Sequence, residues 1–125
     1  MKILVFSTFY GIPDFTSLSI KNHLAYSIRH EYDYIPDFLE KPTSRQFSWA
    51  KILLGMRHLQ SGSYDAIFWM DADSLFLNQE IRIEDLLDSS PAPIHFTGDE
   101  NDIFNGGHII LRSHPKSFEF LQECW

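Results

Sequence analysis

Residues 64–78 read YDAIFWMDADSLFLN, an apolar run that ends in two aspartates and is followed by a second apolar run. Residues 66–70 form the most strongly apolar stretch of the chain, which is typical of a strand buried on both faces of a parallel sheet. In such sheets, ligands bind at the carboxyl ends of the strands. The stretch therefore predicts a buried strand that brings Asp71 and Asp73 to the edge where a ligand would lie.

The rest of the chain alternates between strand-like and helix-like segments. Short apolar or alternating runs predict further strands at 3–7, 32–35 (ended by Pro36), 94–97 and 108–111. Capping residues and apolar periodicity predict helices over 16–29, from 43 or 44 to about 60, over 83–87, and from Ser113 and Pro115 to 125. The alternation predicts one domain over residues 1–125, a three-layer α/β/α sandwich with a mainly parallel, Rossmann-like sheet.

The spacing of apolar residues also predicts which helix faces meet the sheet. In the first helix Ile20, Leu24, Ala25 and Ile28 fall on one side, so we expect that side to be buried. In the second helix Trp49 has the same spacing, and we expect it in the core rather than on a ligand-binding surface.

Charge and cysteine content exclude several classes of function. Seventeen acidic residues against ten basic ones give a net charge of -7, which disfavours binding to DNA, RNA or anionic lipid. The single cysteine, Cys124, permits neither an internal disulfide nor a cysteine-based metal site. The first apolar run is only about four residues long, too short for a signal peptide or a membrane span. We therefore expect a cytoplasmic protein with no membrane segment.

Two carboxylates so close together need a positive partner. In an extended chain residues two apart project from the same face, so Asp71 and Asp73 would repel each other unless a cation lay between them. Mg²⁺ or Mn²⁺ would suit, because each takes oxygen ligands and keeps positions for phosphate oxygens. The alternative is that both carboxylates cap the turn and the helix that follows near Ser74.

At this point the sequence resembles glycosyltransferase family 34, whose members transfer galactose, xylose or mannose. The shared features of residues 64–78 are an aromatic-rich strand, Trp-x-Asp-x-Asp and an apolar run ending in asparagine. Residues 45–51 resemble the family's upstream helix with its Trp-x-Lys. Residues 105–112 resemble its Asn-Thr-Gly strand followed by Leu-Arg, although Gly106 stands where the family usually has threonine. Asn22 and Tyr26 also fit the family's first helix.

The resemblance implies a GT-A fold and a metal-dependent sugar transfer. Asp71-Ala72-Asp73 would hold Mn²⁺ (or Mg²⁺) and, through it, the diphosphate of a nucleotide sugar. In an alternative arrangement Asp71 turns toward the ribose and Asp73 is the more direct metal ligand. The implied reaction retains the anomeric configuration and moves a hexose or pentose to a glycan or other hydroxyl acceptor, with UDP favoured over GDP in the donor.

Further donor contacts are expected at two other places. Ser7, Thr8 and Tyr10 follow the first strand and would meet the base and ribose, with ordinary turn chemistry as an equal alternative. Arg45 and Lys51 are candidates for binding base or diphosphate, and a solvated lysine is an equal alternative for Lys51.

The segment around residues 99–107 supplies the candidate catalytic residues. Asn105, with Gly106 and Gly107, would form a close-approach loop near the donor sugar or the acceptor, or else a plain turn. Asp99 could orient a sugar hydroxyl, although a solvated loop is the simpler expectation.

Two other classes of function stay open. A phosphatase of the haloacid dehalogenase type also uses Asp-x-Asp after an apolar strand, but it places the motif after the first strand. A truncated remnant that only binds nucleotide is the second, because the family is expected to continue for about a hundred residues beyond Trp125 with a metal-binding histidine. Association of two copies is left open.

Overall fold

The structure is a computed structural model that describes residues 1–11, 13–40, 46–101 and 103–125. Its elements alternate as predicted. The five strands are β1 (Ile3–Tyr10), β2 (Asp33–Leu39), β3 (Ala66–Met70), β4 (Ile94–Gly98) and β5 (Phe104–Arg112). The four α-helices are α1 (Thr16–Arg29), α2 (Ala50–Gln60, preceded by a 3-10 helix at Phe47–Trp49), α3 (Ile83–Asp88) and α4 (Pro115–Cys124).

The sheet has the strand order β2-β1-β3-β5-β4. Strand β1 pairs in parallel with β2 and β3, whereas β5 is antiparallel to β3 and β4. Four strands therefore run in one direction and only β5 runs against them. The carboxyl ends of β1, β2, β3 and β4 share an edge with the amino end of β5, and this edge carries the candidate site.

Two hydrophobic cores lie on opposite faces of the sheet. One contains Val5 and Phe68 from the strands with Tyr26 of α1 and Ile83 and Leu87 of α3. The other contains strand residues together with side chains of α2 and α4. The strands alternate between the two cores, as side chains on a pleated strand must. The three-layer α/β/α arrangement predicted from the sequence is confirmed.

The predicted buried face of α1 is wrong. Leu24 and Ile28 are 44% and 68% exposed, and the buried side chains of the helix are Thr16, Ser19, His23, Tyr26 and Ser27. Apolar spacing points to the opposite side of the helix. Two of these buried side chains, His23 and Tyr26, bond to the loop that follows β3, as described below.

Three strand boundaries differ from the prediction by at least three residues. Strand β1 continues to Tyr10, and β2 passes through Pro36, which is tolerated because β2 is an edge strand with one neighbour. Strand β5 begins at Phe104, so residues 105–107 lie in a strand and not in a loop. The predicted start of the second helix at 43 or 44 lies outside the described residues.

Trp49 is not a core residue. It is 39% exposed at the amino end of α2, where it lines an apolar cleft of about 550 Å³ together with Phe96, Phe104 and Phe120. The helix reaches the core through Ile52 and Leu59.

None of the helices in the described ranges has both the length and the hydrophobicity that crossing a lipid bilayer requires.

Candidate functional site

A cleft of about 350 Å³ opens at the carboxyl edge of the sheet, at the lower end of the volumes found for small-molecule sites. It brings together six of the residues predicted from sequence, Thr8, Tyr10, Lys51, Asp71, Ala72 and Asp73. Phe9, Pro13, Phe15, Ser48 and Trp69 complete its lining.

Asp71 is held by two neighbours, Gly107 and Trp69. Its backbone N–H donates to the carbonyl of Gly107 at 2.9 Å, and its carboxylate Oδ1 accepts from the indole Nε1 of Trp69 at 2.9 Å. Gly107 also leaves the space that the carboxylate fills, because a Cβ built there would lie 2.9 Å from Asp71 Oδ2. The side chain is therefore fixed while remaining 39% exposed.

Lys51 reaches from α2 into the cleft. Its ammonium donates to the carbonyl of Gly106 at 2.6 Å, lies 3.6 Å from Asp71 Oδ1 and sits 5.1 Å from the centre of the Trp69 ring. The side chain is only 20% exposed, so the alternative of a solvated lysine is wrong. Lys51 provides positive charge directly beside the aspartate pair.

Asp73 differs from Asp71 in having no support of its own. Its side chain is exposed and makes no hydrogen bond or ion pair with any other residue in the described ranges. The chain between the two aspartates is a turn, closed by the Ser74 N–H donating to the Asp71 carbonyl at 3.1 Å, and not the extended segment that was expected. Both aspartates nevertheless line the cleft.

The start of β5 supports the cleft through its backbone. Asn105 Oδ1 accepts from the N–H of Gly107 at 2.8 Å, and the carbonyls of Gly106 and Gly107 bond to Lys51 and Asp71. Asp99 Oδ1 accepts from the N–H groups at 101 and 103 and closes the turn between β4 and β5. Neither the Asn105 nor the Asp99 side chain lines the cleft, so the geometry lends no support to their predicted catalytic roles, which stay predictions.

Two other predicted contacts are not among the side chains described in the cleft, for different reasons. Ser7 is fully buried beneath it, and its hydroxyl lies 3.2 Å from His23 Nδ1. Arg45 lies outside the described residues.

The donor atoms suit a hard divalent cation. The cleft offers two carboxylates, and Mg²⁺ commonly binds one or two carboxylates while water and substrate phosphate fill its other positions. Among the described residues no group of three or more His, Cys, Asp or Glu side chains could hold a metal ion. The two carboxylates of the cleft therefore fit a cation that is shared with an anionic ligand.

The sequence did not reveal how α1 holds the loop after β3. His23 is fully buried, and its Nε2 lies 2.7 Å from the Ser74 carbonyl, which can only accept, so Nε2 carries the proton. The hydroxyls of Ser7 and Tyr34 approach the other ring nitrogen at 3.2 and 3.3 Å. Burial lowers the pKa of His23, opposed by the bond to Ser74 and reinforced by the nearby His108.

The lowered pKa of His23 predicts a loss of stability in mild acid. As the pH falls through the ordinary value of 6.5, the unfolded chain takes up a proton that the folded protein accepts only at lower pH. The stabilisation present above pH 6.5 is therefore lost below it, by at most about 1.4 kcal/mol per pH unit for one proton. The free energy of unfolding, measured with urea, should fall more steeply between pH 7.5 and 5.5 for the parent than for His23→Gln. Parallel pH profiles would contradict the prediction.

The fold of the chain is shared by proteins of known structure. The chain resembles the crystal structure of a glycosyltransferase involved in the glycosylation of the major capsid of PBCV-1, with a TM-score of 0.80 and 15% identity over 100% of this chain and 66% of that one. It also resembles the crystal structure of A197 from STIV, with a TM-score of 0.60 and 11% identity over 98% of this chain and 68% of that one. The chain thus has a glycosyltransferase fold and spans 66% of the length of the first of these structures.

The amino-acid sequence assigns the family. Residues 9–103 match the galactosyl transferase GMA12/MNN10 family, and the chain belongs to it. The resemblance to glycosyltransferase family 34 is therefore confirmed. No curated protein matches the chain significantly. Family membership argues against the phosphatase alternative, and so does the position of the Asp-x-Asp motif after β3 instead of β1.

Proposed function

We propose that the chain binds a nucleotide-diphosphate sugar in this cleft, with Mn²⁺ or Mg²⁺ held between the protein and the diphosphate by Asp71 and Asp73. The observation that carries the proposal is that the aspartate pair, Lys51, Thr8 and Tyr10 line one cleft at the ligand edge of the sheet. Family membership supports transfer of a sugar to a glycan or other hydroxyl acceptor. We propose that the sugar is a hexose or pentose and that the donor is a UDP- or GDP-sugar. We extend the proposal to retention of the anomeric configuration.

Each residue has a distinct part in this proposal. When bound, the cation would stabilise the diphosphate as the leaving group. Trp69 orients the Asp71 carboxylate, and the Lys51 ammonium, fixed by the Gly106 carbonyl, adds positive charge for the phosphate oxygens. Thr8 and Tyr10 offer hydroxyls to the ribose or the base at the end of β1.

Calorimetry tests the binding half of the proposal. UDP or GDP titrated into the protein should release heat with Mn²⁺ present and little with EDTA, because phosphate binding runs through the cation. Equal heats would show that the aspartates do not act through a metal. Incubation with labelled UDP- and GDP-sugars and a panel of saccharide acceptors then tests transfer, and binding without transfer would leave only a nucleotide-binding role.

Lys51→Met should separate nucleotide binding from metal binding. Losing a charge-assisted hydrogen bond to phosphate costs about 1.5–3 kcal/mol, so UDP with Mn²⁺ should bind roughly ten- to a hundredfold more weakly. Mn²⁺ alone should bind no more weakly than to the parent, because the ammonium 3.6 Å from Asp71 opposes a cation at that carboxylate. Calorimetry with UDP and paramagnetic resonance of free Mn²⁺ measure the two affinities.

Lys116→Met is the matched control for this prediction. It removes the same charge from an exposed position on α4, away from the cleft, and should leave both affinities unchanged. If Lys51→Met also binds UDP like the parent, the lysine only bonds to the Gly106 carbonyl and other groups balance the charge of the phosphate.

A further inference from the structure

The segment between β3 and α3 depends on α1 for its shape. Residues 74–81, here called the post-aspartate segment, form neither helix nor strand, so their backbone groups need partners from elsewhere. Three side chains along one side of α1, those of Asn22, His23 and Tyr26, bond to this backbone, and so does His30 directly after the helix.

The bond nearest the motif is made by His23. Its Nε2–H donates to the Ser74 carbonyl at 2.7 Å from a fully buried position, while the Ser74 N–H closes the turn onto the Asp71 carbonyl at 3.1 Å. Ser74 is therefore held at both of its backbone groups. Asp73 directly precedes Ser74 and lies inside the turn that the Ser74 N–H closes.

Asn22 fixes the segment two residues further along. Its amide Nδ2 donates to the Phe76 carbonyl at 3.1 Å, and its Oδ1 accepts from the Phe76 N–H at 2.7 Å. An amide side chain is suited to this two-way bond because it carries a donor and an acceptor side by side. The Phe76 ring stacks on Tyr26 with 3.7 Å between ring centres, which prevents the backbone from turning away.

We infer that His23 and Asn22 are positioning residues for the proposed metal site: they hold the backbone that follows Asp73, so that its otherwise unsupported carboxylate meets the cation in one geometry. The inference rests on the proposed function. Asp71 is oriented by its own partners Trp69 and Gly107, whereas among the described residues only the backbone places Asp73. Groups that orient metal ligands commonly change metal affinity by ten- to a hundredfold.

Mn²⁺ binding tests the inference in four variants, at temperatures well below the melting point of each. His23→Leu and Asn22→Ala should bind Mn²⁺ at least about tenfold more weakly, by paramagnetic resonance of free Mn²⁺. His23→Gln, whose amide N–H can reach the Ser74 carbonyl, should recover most of the affinity. Ser117→Ala is the control, because it removes a similar bond from a buried α4 side chain to a loop carbonyl, 3.0 Å from Pro93 O, and should bind like the parent.

Amide hydrogen exchange provides a readout independent of ligand. Exchange at residues 72–76 should be at least about tenfold faster in Asn22→Ala and His23→Leu than in the parent, and unchanged in Ser117→Ala. Asn22 is only half-buried, so its variant keeps the test decisive if His23→Leu fails to fold. Parent-like Mn²⁺ affinity in Asn22→Ala, with or without faster exchange, would overturn the inference and leave the proposed function standing. A parent that binds no Mn²⁺ would overturn both.

Discussion

Asp73→Asn should abolish most of the Mn²⁺-dependent binding of UDP while leaving the melting temperature within a few degrees of the parent's. The carboxylate is exposed and unsupported by other described side chains, so its loss costs the fold about 0.5 kcal/mol or less. The metal, by contrast, would lose one of its two protein carboxylates. Mutation of groups that only orient a metal ligand already lowers metal affinity by about ten- to a hundredfold. We therefore expect the Mn²⁺-dependent affinity for UDP to fall by about a hundredfold or more when a ligand itself is lost.

The matched control for Asp73→Asn is Asp88→Asn. It makes the same change of charge at an exposed position at the end of α3, outside the cleft, and should bind UDP like the parent. Calorimetry with Mn²⁺ and with EDTA measures both variants. Wild-type affinity in Asp73→Asn would remove Asp73 from the metal site and leave the reading in which the aspartates only shape the turn.

Gly107→Ala should weaken the proposed metal site by displacing the Asp71 carboxylate. The new Cβ would lie 2.9 Å from both Asp71 Oδ2 and Asn105 Oδ1, closer than such atoms approach in folded proteins. Asp71 cannot retreat without breaking its 2.9 Å bond to the Trp69 indole. We expect about 1–3 kcal/mol of destabilisation and at least about tenfold weaker Mn²⁺ binding. Urea unfolding and paramagnetic resonance measure the two effects.

Gly106→Ala is the neighbouring control. Its Cβ would meet the Phe104 ring at 3.4 Å and the Lys51 ammonium at 3.6 Å, which both lie at the ends of adjustable side chains. The variant should stay close to the parent in stability and Mn²⁺ affinity. If the two alanine variants behave alike, the space at Gly107 is not what holds Asp71 in place.

The centre of the fold could be predicted from sequence, and the reason is physical. Strand β3 is buried along its whole length, so its composition is uniformly apolar and its bounds follow from where that composition stops. The position of the motif at the ligand edge follows from the parallel pairing of β3 with β1. Lys51 could be proposed as a donor contact, but its bonds to Gly106 and Asp71 could not, because they join elements far apart in sequence.

The face of α1 could not be predicted from apolar spacing. Periodicity identifies the sheet-facing side of a helix only when burial of that side is apolar. Here Asn22, His23 and Tyr26 satisfy carbonyls of a distant loop, and a sequence shows polar residues at helical spacing without showing what they bond. The helical spacing of these three residues can be seen in the sequence, but their buried position follows from the loop that they bond.

The start of β5 could not be predicted from sequence for a related reason. Asn105, Gly106 and Gly107 have the composition of a turn, and local propensity favours that assignment. Pairing with β4 and the backbone bonds to Asp71 and Lys51 override it, and Gly107 leaves the space that the Asp71 carboxylate fills.

The partners that β5 provides make ligand binding depend on the docking of the β4–β5 hairpin against β3. Strands β4 and β5 come late in the chain, yet Asp71 and Lys51 both find backbone partners on β5. A local opening that releases this hairpin would dismantle the cleft before the parallel half of the sheet unfolds. A nucleotide that binds only the completed cleft would therefore shift that equilibrium toward the docked hairpin, so occupancy and local folding would be a single coupled event.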